Sequence, residues 1–156
     1  MEITKLKKSQ LSGALDLVWS VFSEFVAPDY SLQGVNEFKA FIDRESMMKK
    51  FDSGELEFYG CIEGGGPVGV IAIRDNCHLC LLFVKKEYQN RGIAKKLFET
   101  AKKICRENNA EKITVNSSPY AKEAYHRLGF VDAGSEQIVN GIRFIPMVYR
   151  PGSGVC

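Results

Sequence analysis

Gln89-Asn90-Arg91-Gly92-Ile93-Ala94 lies between an apolar run, Leu79 to Val84, and an amphipathic segment, Ala94 to Asn108. Together the three pieces predict a strand, a glycine-containing turn and a helix that opens directly from that turn. Within the helix, Ile93, Leu97, Ala101 and Ile104 form one stripe, while Lys95, Lys96, Glu99, Lys102 and Lys103 take the water side, as the helical period requires. The first N–H groups of a helix have no partner inside it and lie at the positive end of its dipole, so phosphate binds well there. Gly92 lets the main chain come close to an anion, and Arg91 and Lys95 add positive charge. The turn matches neither a Walker loop nor a dinucleotide fingerprint. A phosphate-bearing ligand other than a nucleoside triphosphate is therefore expected.

Working outward, Glu2 to Lys7 suits a first strand. Ser9 is placed to cap a helix from Gln10 to about Phe25, with Leu11, Leu15, Val18, Phe22 and Phe25 on its buried face. The segment Ala27-Pro28-Asp29-Tyr30 breaks that helix, and a second helix is expected over Val35 to Phe51, ended by Gly54. The period then changes. Glu55 to Glu63, Val68 to Asp75 and Cys77 to Lys85 read as strands rich in Val, Ile, Phe and Tyr, joined by turns at Gly64-Gly65-Gly66-Pro67 and Asp75-Asn76. After the glycine turn and its helix come a strand at Lys112 to Asn116 and a helix at about Tyr120 to Leu128, which Gly129 stops. Two last strands, Val131 to Val139 and Ile142 to Tyr149, flank the hairpin signal Asn140-Gly141. The fold class is α+β, a mixed but mainly antiparallel central sheet flanked by helices in the order β-α-α-β-β-β-α-β-α-β-β. One domain over residues 1–150 and a loose tail over 151–156 are expected from the 156-residue chain.

Composition narrows the function. Apolar residues make up 45% and charged residues 26%, the balance of a globular protein. A net charge of +2, with lysines interleaved among acids, gives no nucleic-acid footprint. The apolar stretch Leu11 to Val26 is interrupted by Asp16 and Glu24, so no membrane span and no signal peptide are read, and the cytoplasm is the expected compartment. An odd count of five cysteines at irregular spacing suggests reduced thiols. Cys77-His78-Leu79-Cys80 is not read as a metal half-site, because strand positions three apart face opposite sides and no second ligand pair follows; no metal is expected.

A second motif joins a strand end to a helix: Asn116, then Tyr125-His126-Arg127-Leu128-Gly129-Phe130. With the Gln89 to Ala94 turn and the element order, this N-x(8)-Y-x-x-L-G-F segment resembles the GNAT acyltransferase family, which uses acetyl-CoA, over nearly the whole chain. The resemblance implies that the diphosphate of coenzyme A rests on the amides of Arg91, Gly92, Ile93, Ala94 and Lys95, with Gln89 and Asn90 leading into the turn. It implies that Leu82, Phe83 and Val84 pair with the pantetheine arm, and that this strand splays from Ile113 to Val115 to admit it. Asn116 would hold the arm by its amide. Ala94 stands where the family often has glycine, and its methyl still leaves room for phosphate.

Transfer from a thioester needs a neutral amine, stabilisation of the carbonyl oxygen and a way for the thiolate to leave. Amides near Phe83 and Val84 would serve the second, and the resemblance assigns the third to Tyr125 as general acid, with Tyr120 as substitute. The resemblance implies a small-molecule or peptide amine as acceptor. A lysine amine, with a pKa near ~10.4, is neutral about once in a few thousand at pH 7, and an α-amine near ~7.7 roughly once in six. Glu24, Asp29, Asp75, His78 and His126 are the candidates for a base, each with a competing structural role. Helix 1, the loop Ala27 to Gly34 and the last hairpin would wall the acceptor site, an aromatic region holding Trp19, Phe22, Phe25, Tyr30, Phe38 and Phe144. An N-acetyltransferase, monomer or homodimer, is the leading expectation. A non-catalytic acyl-CoA-binding domain of the same fold is the alternative, and an acyltransferase for a longer chain or a hydroxyl acceptor is a third.

Overall fold

The computed structural model describes residues 2–151, so the tail expected over 151–156 lies, beyond Pro151, outside the described residues. The elements run β1 (Ile3–Lys5), α1 (Lys8–Val21), α2 (Leu32–Phe41), α3 (Arg44–Ser53), β2 (Leu56–Glu63), β3 (Gly66–Arg74), β4 (His78–Val84), α4 (Ile93–Glu107), β5 (Ile113–Ser117), α5 (Lys122–Leu128), β6 (Val131–Asp132), β7 (Gln137–Val139) and β8 (Ile142–Tyr149). Strands follow the spatial order β1-β2-β3-β4-β5-β8-β6, with β7 pairing β8. Every pairing is antiparallel except β4 with β5. The parallel pair is the one bridged by α4, since two parallel strands need a crossover between them.

The core forms on both faces of this sheet. Val68 to Ile73 of β3 are buried without alternation, the signature of a strand covered on both sides. Leu97, Phe98 and Ala101 of α4 join Ile71, Val115 and Phe130 on one face. Leu11, Ala14 and Val18 of α1 join Val70, Phe58 and Met47 on the other. The fold is the expected α+β arrangement, and the differences are local.

Ser9 does not cap α1. Lys7 occupies the cap position, and its N–H donates to Gln10 Oε1 at 2.8 Å, so the glutamine at the third helical position closes the first turn from its own side chain. Helix α1 ends earlier than expected, in a widened turn over Phe22–Val26 where the Ala27 N–H reaches Phe22 O; Pro28, with no N–H, follows. The single helix expected over 35–51 is two. Ser31 Oγ accepts from Gly34 N to start α2, and Asp43 Oδ2 accepts from Ser46 N to start α3, an internal cap that splits the run. The expected strand 131–139 is likewise two pieces. Asp132 faces Met147 and Gln137 faces Phe144, so four residues on one side oppose two on the other. Pro146 offers a carbonyl, which accepts from Ala133 N at 2.7 Å, but no N–H to continue the ladder.

The expectation of reduced thiols fails for Cys77 and Cys105, which form a disulfide with Cα atoms 5.9 Å apart. Irregular spacing in the chain concealed that the β3–β4 turn meets the last turns of α4. Cys61 and Cys80 are free. The cytoplasmic expectation drew on unpaired thiols, and the disulfide removes that support. No helix among the described residues is long and apolar enough to cross a membrane, and no described group of His, Cys, Asp and Glu is arranged to hold a metal ion.

Candidate active site

Only two residue pairs join β4 to β5: His78 with Thr114 and Leu79 with Val115. Beyond Leu79 the strands separate, and a cavity of about 570 Å³ opens in the gap. Its walls include residues from both sides of the sheet. Gly92, Ile93 and Ala94 stand at one end; Phe22, Tyr30 and Phe38 stand at the other.

The first end is built by the glycine turn. Asn90 (φ 63) and Gly92 (φ 80) both have left-handed backbone, and Gly92 caps α4 with no side-chain acceptor. The first amides of α4 are therefore left without a side-chain partner, facing the cavity that Gly92, Ile93, Ala94 and Lys95 line. A Cβ on Gly92 would meet nothing within 4 Å, so its requirement for glycine is conformational, beyond the close approach read from sequence. Gln89 Nε2 donates to Val84 O at 3.0 Å, which ties the turn to the strand before it; that positioning role was not evident from the sequence. Arg91 is not among the lining residues, and its guanidinium lies over the Tyr88 ring at 5.0 Å.

Backbone alternation decides which amides face the gap. Lys85 N donates to Val68 O at 2.8 Å across the β3–β4 ladder. Successive N–H groups of a strand point to opposite sides, so the Val84 N–H turns toward the gap and the Phe83 N–H toward β3. Of the two amides expected to face a carbonyl oxygen, Val84 remains. The Phe83 side chain still lines the cavity, as does Asn116 beyond the last β4–β5 pair.

Tyr125 projects from α5 into the same cavity and is otherwise buried, packed edge-on against Phe130 with ring centroids 5.4 Å apart. Its hydroxyl makes no hydrogen bond to a described residue, yet no described buried polar atom is left without a partner, so the oxygen reaches open space. Burial raises its pKa above the ordinary phenol value, which keeps the proton on the oxygen. Tyr120 also lines the cavity, half exposed and stacked on Phe25 at 5.2 Å.

The candidate bases fall elsewhere. Glu24 is paired with Lys86 at 2.8 Å, and Asp29 is exposed, its carbonyl accepting from Arg143 Nη1 at 3.1 Å. Asp75 is in the β3–β4 turn beside Cys77, at the opposite end of β4. His78 Nδ1 is 2.8 Å from Thr114 Oγ1, and desolvation pushes its pKa down to about 4. His126 Nε2 is 2.7 Å from Asp132. None of the five lines the cavity. Among the aromatics expected at the acceptor end, Phe22, Tyr30 and Phe38 line it, whereas Trp19 backs Phe22 at 5.7 Å.

A family model described as an acetyltransferase (GNAT) domain matches residues 26–151. The chain is similar in structure to a GCN5-related N-acetyltransferase from Rhodopseudomonas palustris, with TM-score 0.82 and 20% identity over 96% of this chain and 94% of that one. It is similar to the PaiA N-acetyltransferase of Thermoplasma acidophilum, solved in complex with coenzyme A, with TM-score 0.77 and 21% identity over 96% and 98%. An aminoglycoside 6′-N-acetyltransferase complexed with coenzyme A gives TM-score 0.66 and 13% identity over 96% and 97%. No protein of curated function matches this chain in sequence.

Proposed function

This chain belongs to the GNAT acetyltransferase family, and we propose that it moves an acetyl group from acetyl-CoA directly to a primary amine, with Tyr125 as the general acid. The chain is an acyltransferase and acetyl-CoA is its donor. The observation that carries the finer reading is the shared cavity: the uncapped start of α4, the unpaired Val84 amide and the Tyr125 phenol all face one space.

In this reading the diphosphate sits on the amides of Gly92 to Lys95, favoured by the helix dipole. The pantetheine arm lies along Leu82 to Val84 where β5 has separated, with Asn116 beside it. The amine nitrogen forms a bond to the thioester carbon, and the oxygen gains negative charge opposite the Val84 N–H. The C–S bond then breaks. The nitrogen loses one proton and the sulfur gains one, so the reaction is balanced without any other reactant. Burial keeps Tyr125 protonated, and its free hydroxyl is a hydrogen-bond donor for the departing sulfur. The absence of any of the five candidate bases from the cavity wall favours an acceptor that arrives already neutral.

Thiol release from acetyl-CoA across a panel of amines tests the activity. Tyr125→Phe is expected to cut kcat by about a hundredfold or more while the affinity for coenzyme A by calorimetry is unchanged. Equal losses of affinity and turnover would assign Tyr125 to binding. Coenzyme A binding by the wild type with no thiol release for any amine of the panel would favour the non-catalytic acyl-CoA-binding alternative.

A further inference from the structure

We propose that the acceptor is a weakly basic monoamine carried on an apolar, aromatic-sized body, and that it enters as the free base. The inference rests on the acetyltransfer reading and extends it to a substrate class.

The acceptor end of the cavity is walled by Phe22, Phe38, Leu82 and Val21, with Tyr30 and Tyr120 at its margins. Phe22 and Phe38 stack at 4.0 Å, and Tyr30 meets Phe22 edge-on at 5.5 Å. Phe22 is itself fully buried behind the other two, and the half-buried Phe38 and Tyr30 rings offer flat apolar surface to a ligand. The polar groups of this end are occupied or weak. Tyr30 Oη donates to Arg143 O at 3.2 Å, and the Cys80 thiol is held protonated by burial.

No charged lining residue comes from α1, α2 or β4, the elements whose side chains wall this end. The charged lining residues are Lys95, on the first turn of α4, and Glu123 and Arg127, on α5. Glu24 near the acceptor end is paired with Lys86, and Arg143 with Glu136 at 3.0 Å and with the Asp29 carbonyl, while the exposed Asp29 carboxylate, beside Tyr30, is not part of the cavity wall. An ammonium moving in between these apolar walls loses its hydration without a carboxylate on α1, α2 or β4 to replace it. A polycation would repeat that cost at each nitrogen.

The helix that carries Phe38 is also held in place. The start of α2 lies against the β7–β8 hairpin so closely that a Cβ on Gly34 would overlap the Gly141 carbonyl, and one on Gly141 would lie 2.6 Å from Ser31 Oγ. Asn140 Nδ2 reaches Glu37 Oε1 at 3.5 Å beside this contact.

Calorimetry on the enzyme saturated with coenzyme A tests the inference with four amines: phenylalaninamide, 2-phenylethylamine, spermidine and an aminoglycoside. At pH 7 phenylalaninamide is expected to bind at least tenfold more tightly than spermidine or the aminoglycoside. The apparent affinity of 2-phenylethylamine is expected to rise about tenfold per pH unit between 7 and 9, as its free base becomes available. Tyr120→Glu, at an exposed position on the rim, is expected to weaken phenylalaninamide and strengthen spermidine, each by at least threefold. Spermidine or the aminoglycoside binding as well as the aromatic amines would overturn the proposal, as would a pH-independent affinity for 2-phenylethylamine. Thiol release with acetyl-CoA separates the two levels. Aromatic amines that bind but release no thiol uphold the acceptor class and refute direct transfer, whereas release with spermidine alone upholds transfer and refutes the acceptor class.

Discussion

Tyr125 and Gly92 are the two residues on which the chemistry turns, and they differ in how far the sequence revealed them. Tyr125 is an ordinary amphipathic-helix residue by pattern, and only the family resemblance assigned it a role. Its raised pKa means that the phenol keeps its proton across the neutral and mildly alkaline range. The activity is therefore expected to show no fall attributable to this group until above its ordinary value near ~10, measured as kcat against pH with a saturating amine. Gly92 was legible as a glycine at a helix start, but its left-handed φ of 80 could not be seen. Gly92→Asp is expected to weaken coenzyme A by at least tenfold, about 1.4 kcal/mol, by setting a carboxylate against the diphosphate. Gly92→Ala separates the two causes: strain of roughly 1–2 kcal/mol in thermal stability, with a smaller loss of affinity. Affinities equal to wild type in both would remove the phosphate from this turn.

At the level of elements, strands and the two helices of the second half were read well because their periods are strong and their ends are marked by Gly54, Gly92 and Gly129. The misreadings cluster where a polar side chain or a proline acts on the backbone. Asp43 sits inside a helical pattern and ends one helix while starting another; Asp43→Ala is expected to cost about 1 kcal/mol, seen as a lower urea midpoint with unchanged acetyl-CoA affinity. Pro146 breaks the ladder to the strand expected over 131–139, leaving Gly134 against its ring, with a Cβ contact of 3.0 Å in prospect. Cysteine pairing was invisible for a different reason, since it depends on a turn and a helix end meeting 28 residues apart. Closing a loop of that length stabilises by about 3–4 kcal/mol in the chain-entropy account. A reductant is expected to lower Tm in the wild type and to leave a Cys77→Ser, Cys105→Ser double variant unchanged. Peptide mapping without reduction should recover the two segments joined.

For the whole molecule, the feature that matters is a sheet interrupted at its centre, with helices α4 and α5 on one side of the opening and α1 and α2 on the other. Residue periodicity does not announce that gap, which was expected only from the family resemblance; β4 and β5 are both good strands, and their relative direction after Leu79 creates it. His78 lies in the short stretch where they hold together. Its folded pKa, near 4, is below the ordinary value, so the unfolded chain takes up the extra proton as pH falls from about 6.5 toward 4. Stability from this group is present above that window and lost through it. Tm measured from pH 7 down to 4 is expected to fall, less steeply in His78→Gln. The unzipped stretch also has a mechanical meaning. A sheet that lacks its middle rungs is open to shear, and a molecule lodged there, hydrogen-bonded to an exposed strand margin, acts as the missing rib. Donor loading should then stiffen the protein as well as prime it, slowing amide hydrogen exchange along residues 80–84 and 113–117 as well as in the turn that grips the phosphates.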